Sequence, residues 1–400
     1  MFSEALDSYS EFRFDPLTGH WIIVAEGRSA RPSNVVARIV EAPSTDNGDP
    51  LSDCAFCPGN ECQTTPSVAE VVLREPDSDG LSLDDYEILS LESDSEPSTR
   101  RWFARALENR YPAFRVPERY VQPLPFKRAR RRFCDAELPA SKRFFQSIQA
   151  IGQHEVIVDA SRHIRGWGEM TPLEICLAFR LFQERLRALR ASARFEYAFL
   201  FKNVGVNAGA SQRHTHGQLV ASISTPDAIT LQLERVARYE ENRKKAGEID
   251  SFWAALLKAE LEVGKRIITT NDHFVLYCPY ASRFPMQMEI CPKFDGAFED
   301  YDYATLDSCA LMARDAIVAL QSVYKRNVSS NLHPVDYNVV MTNAPFRVSQ
   351  EFEVAARVFR PRFSIMPSLV KKAGYEYGVG IDINPVAPET AATILREYFQ

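Results

Sequence analysis

The order of predicted elements repeats along this chain, and the repetition constrains the fold more than any other feature. Apolar runs predict strands, and apolar residues at helical spacing predict helices. The first half reads strand 154–158, helix 172–191 with Thr171 as its cap, strand 195–203, a small-residue loop, and a strand from 214. The second half reads strands 273–277 and 286–291, helix 303–325, and strands 337–342 and 358–366. We infer a duplicated α+β unit with halves 1–226 and 227–400, which meet in the charged connector around 226–265.

Charge and cysteine usage exclude several classes of protein. The net charge is -6 and the pI is near 5.8, which argues against nucleic acid as a partner. The N-terminus lacks the basic and apolar regions of a signal peptide, and no apolar run of about 18 residues is present to span a membrane. Only three of the eight cysteines cluster, which is not typical of a disulfide framework. We therefore expect a cytoplasmic protein that binds neither nucleic acid nor membrane.

Two of only seven histidines lie one residue apart, at His214 and His216. In an extended segment side chains alternate between faces, so both histidines and Gln218 share one face of a strand. A histidine pair of this kind suits either metal binding or nucleophilic chemistry on phosphorus. The choice between metal binding and nucleophilic chemistry determines most of what can be inferred about the function.

The pair Cys54 and Cys57 could supply half of a tetrahedral zinc site. A redox pair and two ordinary cysteines are the alternatives. His163 follows a predicted strand and, taken alone, is more typical of a surface loop. Together with His214 these residues form a Cys₂His₂ set with no vacancy, as one structural Zn²⁺ per chain requires. That assignment leaves His216 for chemistry.

A histidine nucleophile suits phosphoryl or nucleotidyl transfer, because a phosphoimidazole can pass its group onward. The non-bridging phosphate oxygens then need hydrogen-bond donors. The candidates are Gln218, Ser211, backbone N–H groups around 209–211, and the guanidinium groups of Arg28 and Arg31. For the two arginines a solvated turn is the alternative. The basic run at 127–132 is interpreted as a solvated surface loop.

These residues belong to a wider set of motifs that resembles the galactose-1-phosphate uridylyltransferase family. The matching segments are 14–21 with Arg28 and Arg31-Pro32, Cys54-x-x-Cys57, 108–114, His163, 201–205, His214-x-His216-Gly217-Gln218 and the C-terminal stretch 374–389. The resemblance implies a duplicated histidine-triad-like α+β unit, with helices packed on antiparallel sheets, that forms a homodimer. The matching segments extend over nearly the whole chain.

The resemblance also implies a role for each matching residue. His216 is similar to the family's nucleophile, and Gln218 and Ser211 match residues that hold the transferred phosphoryl group. The substrate-binding matches are Arg28, Arg31, Asn109, Asn203 and Glu376, and the zinc ligands are Cys54, Cys57, His163 and His214. The implied reaction is ping-pong: a nucleotide sugar gives hexose 1-phosphate and uridylyl-His216, and a second hexose 1-phosphate collects the uridylyl group.

Three departures from the family pattern affect the expected substrate. Thr215 replaces the usual proline between the histidines. The stretch corresponding to a second metal site in some members contains Arg360 and Arg362, so we predict no metal there. Glu376 is present, but the glutamine expected six residues later is Asp382, in an ending more like that of ADP-glucose phosphorylase relatives. An ADP-glucose phosphorylase or adenylyltransferase is thus an alternative, and a non-catalytic, zinc-stabilised nucleotide-binding module is an alternative of another class.

Overall fold

The computed structural model describes residues 10–26, 53–75, 82–91, 100–117, 137–145, 147, 149–327 and 334–399. Arg28 and Arg31 lie outside the described residues, as does the basic run at 127–132. Within the described ranges, no helix combines the length and apolar character needed to cross a membrane.

The strands and helices are numbered here in chain order. The strands are β1 (Glu11–Phe14), β2 (Trp21–Val24), β3 (Ser67–Leu73), β4 (Tyr86–Ser90), β5 (Trp102–Glu108), β6 (Gly152–Val158), β7 (Tyr197–Val204), β8 (His216–Ser222), β9 (Ile267–Thr270), β10 (Phe274–Tyr277), β11 (Met288–Pro292), β12 (Tyr337–Thr342), β13 (Arg362–Pro367) and β14 (Ile383–Asn384). The helices are α1 (Ala140–Phe144), α2 (Pro172–Ala191), α3 (Asp227–Ala246), α4 (Phe252–Val263), α5 (Tyr303–Asn327), α6 (Glu353–Arg357), α7 (Gly374–Val379) and α8 (Pro388–Arg396).

An eleven-stranded sheet runs through both halves in the order β4-β3-β5-β6-β8-β7-β12-β13-β11-β10-β9. Its neighbouring strands pair antiparallel. Apart from β4, the order on one side of the β7–β12 pair mirrors the order on the other. Each half contributes three strands, a long helix and two more strands in that sequence. The duplicated α+β unit with antiparallel sheets is therefore confirmed.

The mirror order corrects one detail of the predicted repeat. In the predicted repeat the strands 154–158 and 273–277 each open one half and so take equivalent places, but the counterpart of β6 in the second half is β11, and β10 corresponds to β5. Both second-half strands are short apolar runs, and strand pairing depends on long-range packing that such runs do not reveal. Because one sheet spans both halves, the boundary near residue 226 stays a prediction.

Helix α2 forms where its sequence predicts it. Thr171 accepts from the backbone N–H of Glu174, whose carboxylate accepts from the N–H of Thr171, and Pro172 begins the helix. Its apolar side chains lie in the main core, and Arg180 forms an ion pair with Asp307 of α5 at 2.8 Å. The two long helices thereby cover one face of the sheet. On the other face, α3 and α4 pack near the second-half edge.

A smaller sheet joins the two ends of the described chain. Strand β2 pairs antiparallel with β1 and parallel with β14. The turn between β1 and β2 is held by Asp15, whose carboxylate accepts from the N–H groups of Leu17 and Thr18 at 2.9 and 3.2 Å. This sheet carries the segment that leads towards Arg28.

Candidate active site and metal centre

Four metal-ligand side chains from three separate segments converge beside β8. The ligand atoms of Cys54, Cys57, His163 and His214 all lie within 4.8 Å of one another. The Cys57 Sγ is 3.3 Å from Nδ1 of His163 and 3.5 Å from Nδ1 of His214, and the Cys54 Sγ is 3.6 Å from the latter. Neighbouring ligands of a tetrahedral zinc, with bonds of about 2.0–2.3 Å, are roughly 3.5 Å apart. The four side chains could hold one metal ion.

Backbone hydrogen bonds shape the turn that carries the two cysteines. The N–H of Cys57 donates to the carbonyl of Cys54 at 3.1 Å, and the Asn60 side chain donates to the same carbonyl at 2.9 Å. The buried guanidinium group of Arg105 donates to the carbonyl of Ala55 at 3.3 Å. Both sulfur atoms are thereby held facing the histidines.

The protonation of these groups fits a cation at their centre. Nε2 of His214 donates to the carbonyl of Ala160 at 2.7 Å, so Nδ1 presents its lone pair to the sulfur atoms. Burial lowers the pKa of His214 to about 4, which keeps the imidazole neutral. Burial and the neighbouring Cys54 raise the pKa of Cys57 to about 11. Without a cation the Cys57 thiol therefore stays protonated, and a metal ion bound here would displace that proton to gain the thiolate as a ligand.

One hydrogen bond defines which ring nitrogen of His216 carries the lone pair. Its Nδ1 donates to the carbonyl of His214 at 2.8 Å, which leaves the lone pair on Nε2. The side chain is buried, and the ring of Phe56 lies 5.3 Å from the imidazole centroid. Burial, and secondarily the positive charge of Lys202, lower the pKa of His216. A neutral, fixed imidazole of this kind can attack an electrophile.

Lys202 supports the histidine strand from its core side. Its buried ammonium group donates to the carbonyl of His216 at 2.8 Å, to Thr215 Oγ1 at 2.8 Å and to Asp159 Oδ2 at 2.5 Å. The Thr215 hydroxyl donates to the same carboxylate at 2.9 Å, and so does the indole of Trp167 at 3.1 Å. Thr215, which replaces the usual proline between the histidines, thus contributes a hydroxyl group to this hydrogen-bond network.

Gln218 is oriented by a second histidine that the sequence reasoning missed. The N–H of Ala113 donates to Nδ1 of His154 at 3.2 Å, so the proton lies on Nε2, which donates to Gln218 Oε1 at 2.8 Å. Because Oε1 of Gln218 already accepts this hydrogen bond, the side chain can offer its amide N–H groups as donors to another partner. The Asn109 side-chain nitrogen lies 3.2 Å from the same Nε2, which places Asn109 beside the pair.

A histidine or a charge inside a predicted strand was the signal that could have marked the missed residues. His154 lies in β6, which is adjacent to β8, and Val156 pairs directly with Gln218. Lys202 is the one charged residue of β7, so its burial requires a partner such as Asp159. Neither contact follows from sequence spacing alone, because both partners lie more than 40 positions away.

Ser211 lies at the exposed end of a glycine-containing loop that precedes His214. The expectation that backbone N–H groups around 209–211 bind phosphate needs correction for two of them. The N–H of Gly209 donates to Val206 and that of Ala210 donates to Gly205, because the segment closes on itself as a tight turn. The Ser211 hydroxyl stays a candidate donor.

Asn203 lies on β7, one strand from Gln218, and pairs with β12 of the second half. Its Oδ1 accepts from Asn338 at 2.8 Å, and Asn338 also donates to the carbonyl of Ala208 at 2.8 Å. Both asparagines are half-buried. Asn203 is therefore next to the loop that ends at Ser211.

The C-terminal candidate residues make contacts of their own. Glu376 accepts from the N–H of Ala373 at 3.0 Å at the start of α7. Asp382 is buried and accepts from Lys372 at 2.6 Å and from Arg283 at 2.5 Å. The Asp382 carboxylate is therefore paired with two cationic side chains, at the position where the family pattern has glutamine.

Arg360 and Arg362, in the stretch expected to lack a metal, are buried in ion pairs. Arg360 donates to Asp295 at 2.7 Å, and Arg362 donates to Glu289 at 3.2 Å. The Arg362 guanidinium group also lies 4.3 Å from the ring centroid of Trp253. These contacts occupy the two side chains, and the number of metals per chain stays a prediction.

The chain is similar to several known proteins. Residues 103–226 match the family described as galactose-1-phosphate uridyl transferase, N-terminal domain. The chain is 25% identical to ADP-glucose phosphorylase of Arabidopsis thaliana over 97% of its own length and 92% of that protein. It is 24% identical to galactose-1-phosphate uridylyltransferase of Thermotoga maritima, covering 97% and 98% of the two chains. The crystal structure of the Arabidopsis ADP-glucose phosphorylase with bound ADP-glucose superimposes with a TM-score of 0.67 at 23% identity, over 98% of this chain and 99% of that one.

Together these findings confirm the resemblance inferred from the sequence. The fold is that of the histidine-triad-like, uridylyltransferase-type proteins, shared over nearly the whole chain. Within it, the chain resembles the galactose-1-phosphate uridylyltransferase family, and it also resembles an ADP-glucose phosphorylase.

Proposed function

We propose that this chain is a nucleotidyltransferase that exchanges a nucleoside monophosphate between a nucleotide sugar and a hexose 1-phosphate through a covalent nucleotidyl-His216. The observation that carries the proposal is the 2.8 Å hydrogen bond from His216 Nδ1 to the carbonyl of His214, which fixes Nε2 as the reacting atom. The relatives that match over most of the chain support the same chemistry.

In the first half-reaction, Nε2 of His216 attacks the phosphorus that bears the nucleoside. A phosphorus–nitrogen bond forms as the bond from that phosphorus to the bridging oxygen breaks, and hexose 1-phosphate leaves with the electron pair. The developing positive charge of the ring is stabilised by the Nδ1–H bond to the backbone carbonyl. In the second half-reaction, a phosphate oxygen of another hexose 1-phosphate attacks the same phosphorus and releases the neutral imidazole.

Gln218 and Ser211 are proposed to donate to the non-bridging oxygens of the transferred phosphoryl group. Gln218 can do so because His154 holds its oxygen and so orients its amide group. The remaining substrate contacts are assigned from the resemblance: Arg28 and Arg31 to phosphates, Asn109 and Asn203 to the nucleotide, and Glu376 to the hexose. In this scheme residues 1–226 carry the chemistry, and residues 227–400 contribute to sugar-phosphate binding.

The Cys₂His₂ cluster is proposed to hold one structural Zn²⁺. Three of its ligand-atom separations, 3.3, 3.5 and 3.6 Å, are close to those of a tetrahedral zinc site, and the soft thiolate and imidazole donors suit zinc. When bound, the ion supplies rigidity to the start of β8 and takes no part in the reaction. His214 links the cluster to the carbonyl that orients His216.

Uridylyl transfer to galactose 1-phosphate is the first candidate reaction, because the matched family and several relatives have that activity in their names. The second candidate is ADP-glucose phosphorolysis, with inorganic phosphate as acceptor. The ion-paired state of Asp382 favours it, since a carboxylate held by Lys372 and Arg283 cannot replace a hexose-binding glutamine amide. The cytoplasmic location and the homodimer stay predictions.

Intact-mass measurement of the protein after incubation with UDP-glucose or ADP-glucose, each alone, tests the proposal. A uridylyl or an adenylyl mass increment identifies the base, and His216→Asn should abolish either increment while leaving the zinc content unchanged. Subsequent addition of galactose 1-phosphate or inorganic phosphate should remove the group and identify the acceptor. Absence of an adduct with both nucleotide sugars would favour the non-catalytic nucleotide-binding module.

A further inference from the structure

The loop at 205–210 has a defined shape that leads directly to Ser211. Gly205 and Gly209 have φ angles of +87° and +84°, a region that favours glycine. The N–H groups of Ala208 and Ala210 both donate to the carbonyl of Gly205 at 3.1 Å. The loop is thus a closed turn whose orientation determines where Ser211 stands.

Two side chains from the second half of the chain hold this turn in place. The Asp336 Oδ2 accepts from the backbone N–H of Asn207 at 2.8 Å and from its side-chain amide at 2.9 Å. Asn338, two residues further along, donates to the carbonyl of Ala208 at 2.8 Å. The turn precedes β8, but its anchors lie in the second half, Asp336 just before β12 and Asn338 within it.

Asp336 is itself fixed from two directions. Its other carboxylate oxygen forms an ion pair with Arg165, which also donates to the carbonyl of Pro334 at 2.8 Å. A Cβ atom on Gly205 would lie 1.9 Å from Oδ1 of Asp336, so the carboxylate fills the space that the absent side chain leaves. Arg165 is two residues from the metal ligand His163, and Asp336 thereby connects the turn to the metal-binding segment.

We infer that Asp336 is a positioning residue for nucleotidyl transfer, because it holds the 205–210 turn in the orientation that brings Ser211 to the transferred phosphoryl group. The inference rests on the proposed function and extends it to a residue of the second half. Asp336 acts through Ser211 and touches no substrate. Displacement of a phosphate-binding group by about 1 Å can slow a reaction by roughly 100-fold.

Single-turnover formation of nucleotidyl-His216, followed by intact mass, measures the effect. Asp336→Ala should slow this step by about 10- to 100-fold, and Asp336→Asn, which keeps an acceptor for Asn207, should lie between it and the wild type. Adding Asp336→Ala to Ser211→Ala should give no further loss, because the two residues act on the same contact. Hydrogen exchange of the peptide covering 205–211 should become faster in Asp336→Ala.

Asp307→Ala is the matched control, since it removes an arginine–aspartate ion pair of similar exposure between α2 and α5. It should leave the rate within about twofold of the wild type, as expected for a distant, independent site. A wild-type rate in Asp336→Ala, or additive losses with Ser211→Ala, would overturn the inference while leaving the proposed function intact. If the wild-type protein forms no adduct at all, the proposed function and the inference both fall. Should Asp336→Ala not fold, the same comparisons are made with Asp336→Asn.

Discussion

The ammonium group of Lys202 donates to the carbonyl oxygen of His216 across 2.8 Å, so the backbone of the proposed nucleophile is held by a buried cation. The same group contacts Asp159 and the Thr215 hydroxyl. His216 is therefore fixed twice, through its side chain by the carbonyl of His214 and through its own carbonyl by Lys202. This double support places Nε2 without the help of substrate.

Replacing Lys202 with methionine should destabilise the protein and slow adduct formation. The Asp159 carboxylate would be left buried without its cation, which costs about 3–5 kcal/mol in the free energy of unfolding. Loss of the contact to the His216 carbonyl should lower the single-turnover rate by about 10- to 100-fold. Chemical denaturation and the intact-mass assay measure the two effects separately.

A double variant separates charge burial from positioning. Lys202→Met with Asp159→Leu removes both charges and should recover part of the lost stability, since a buried ion pair replaced by apolar residues is often nearly neutral. The recovery is partial because the Thr215 hydroxyl and the Trp167 indole lose their acceptor. The rate should stay low because the His216 carbonyl still lacks its donor. Full recovery of the rate together with the stability would show that Lys202 has no positioning role.

Removing His154 should impair the same step without affecting the metal. In His154→Phe the Oε1 of Gln218 loses its donor at 2.8 Å, so the amide group is free to rotate away from phosphate. We expect a loss of about tenfold in the adduct-forming rate and no change in zinc content. Gln218→Ala should be at least as slow, and combining it with His154→Phe should add nothing.

The sequence predicted the features that depend on contacts between residues close along the chain. It did not predict those that depend on contacts between residues far apart along the chain. Helix α2 was predicted with its bounds because its cap, its proline and its apolar spacing are local. The four members of the Cys₂His₂ cluster were identified because their residue types are rare and chemically specific. Lys202, His154 and Asp336 were missed as site residues because their partners are strands apart, and only the pairing of β6, β7, β8 and β12 brings them together.

The metal cluster should bind one zinc per chain, and loss of a ligand should reduce that binding. Cys54→Ser replaces a thiolate with a poorer zinc ligand and should give a stoichiometry well below one, with a lower melting temperature. Cys62→Ser is the control, because Cys62 is exposed and lies outside the cluster. Elemental analysis and thermal unfolding, with and without a chelator, provide the measurements. A stoichiometry near two in the wild type would contradict the interpretation of Arg360 and Arg362.

The contribution of Asp382 to stability should depend on pH. Burial raises the pKa of this carboxyl, but hydrogen bonds from Lys372 and Arg283 outweigh burial, and the pKa lies below its ordinary value of 3.8. A lowered pKa in the folded state means that the stabilisation is complete well above 3.8 and is lost as the pH falls through the lower, folded-state value. Asp382→Asn weakens two charge-assisted hydrogen bonds and should therefore reduce the free energy of unfolding by about 1–2 kcal/mol at pH 7. The difference from the wild type should shrink as the pH falls below the ordinary pKa of the carboxyl. Denaturation curves at a series of pH values measure the difference, and a constant difference from pH 7 down to pH 2 would show that the two ion pairs contribute nothing.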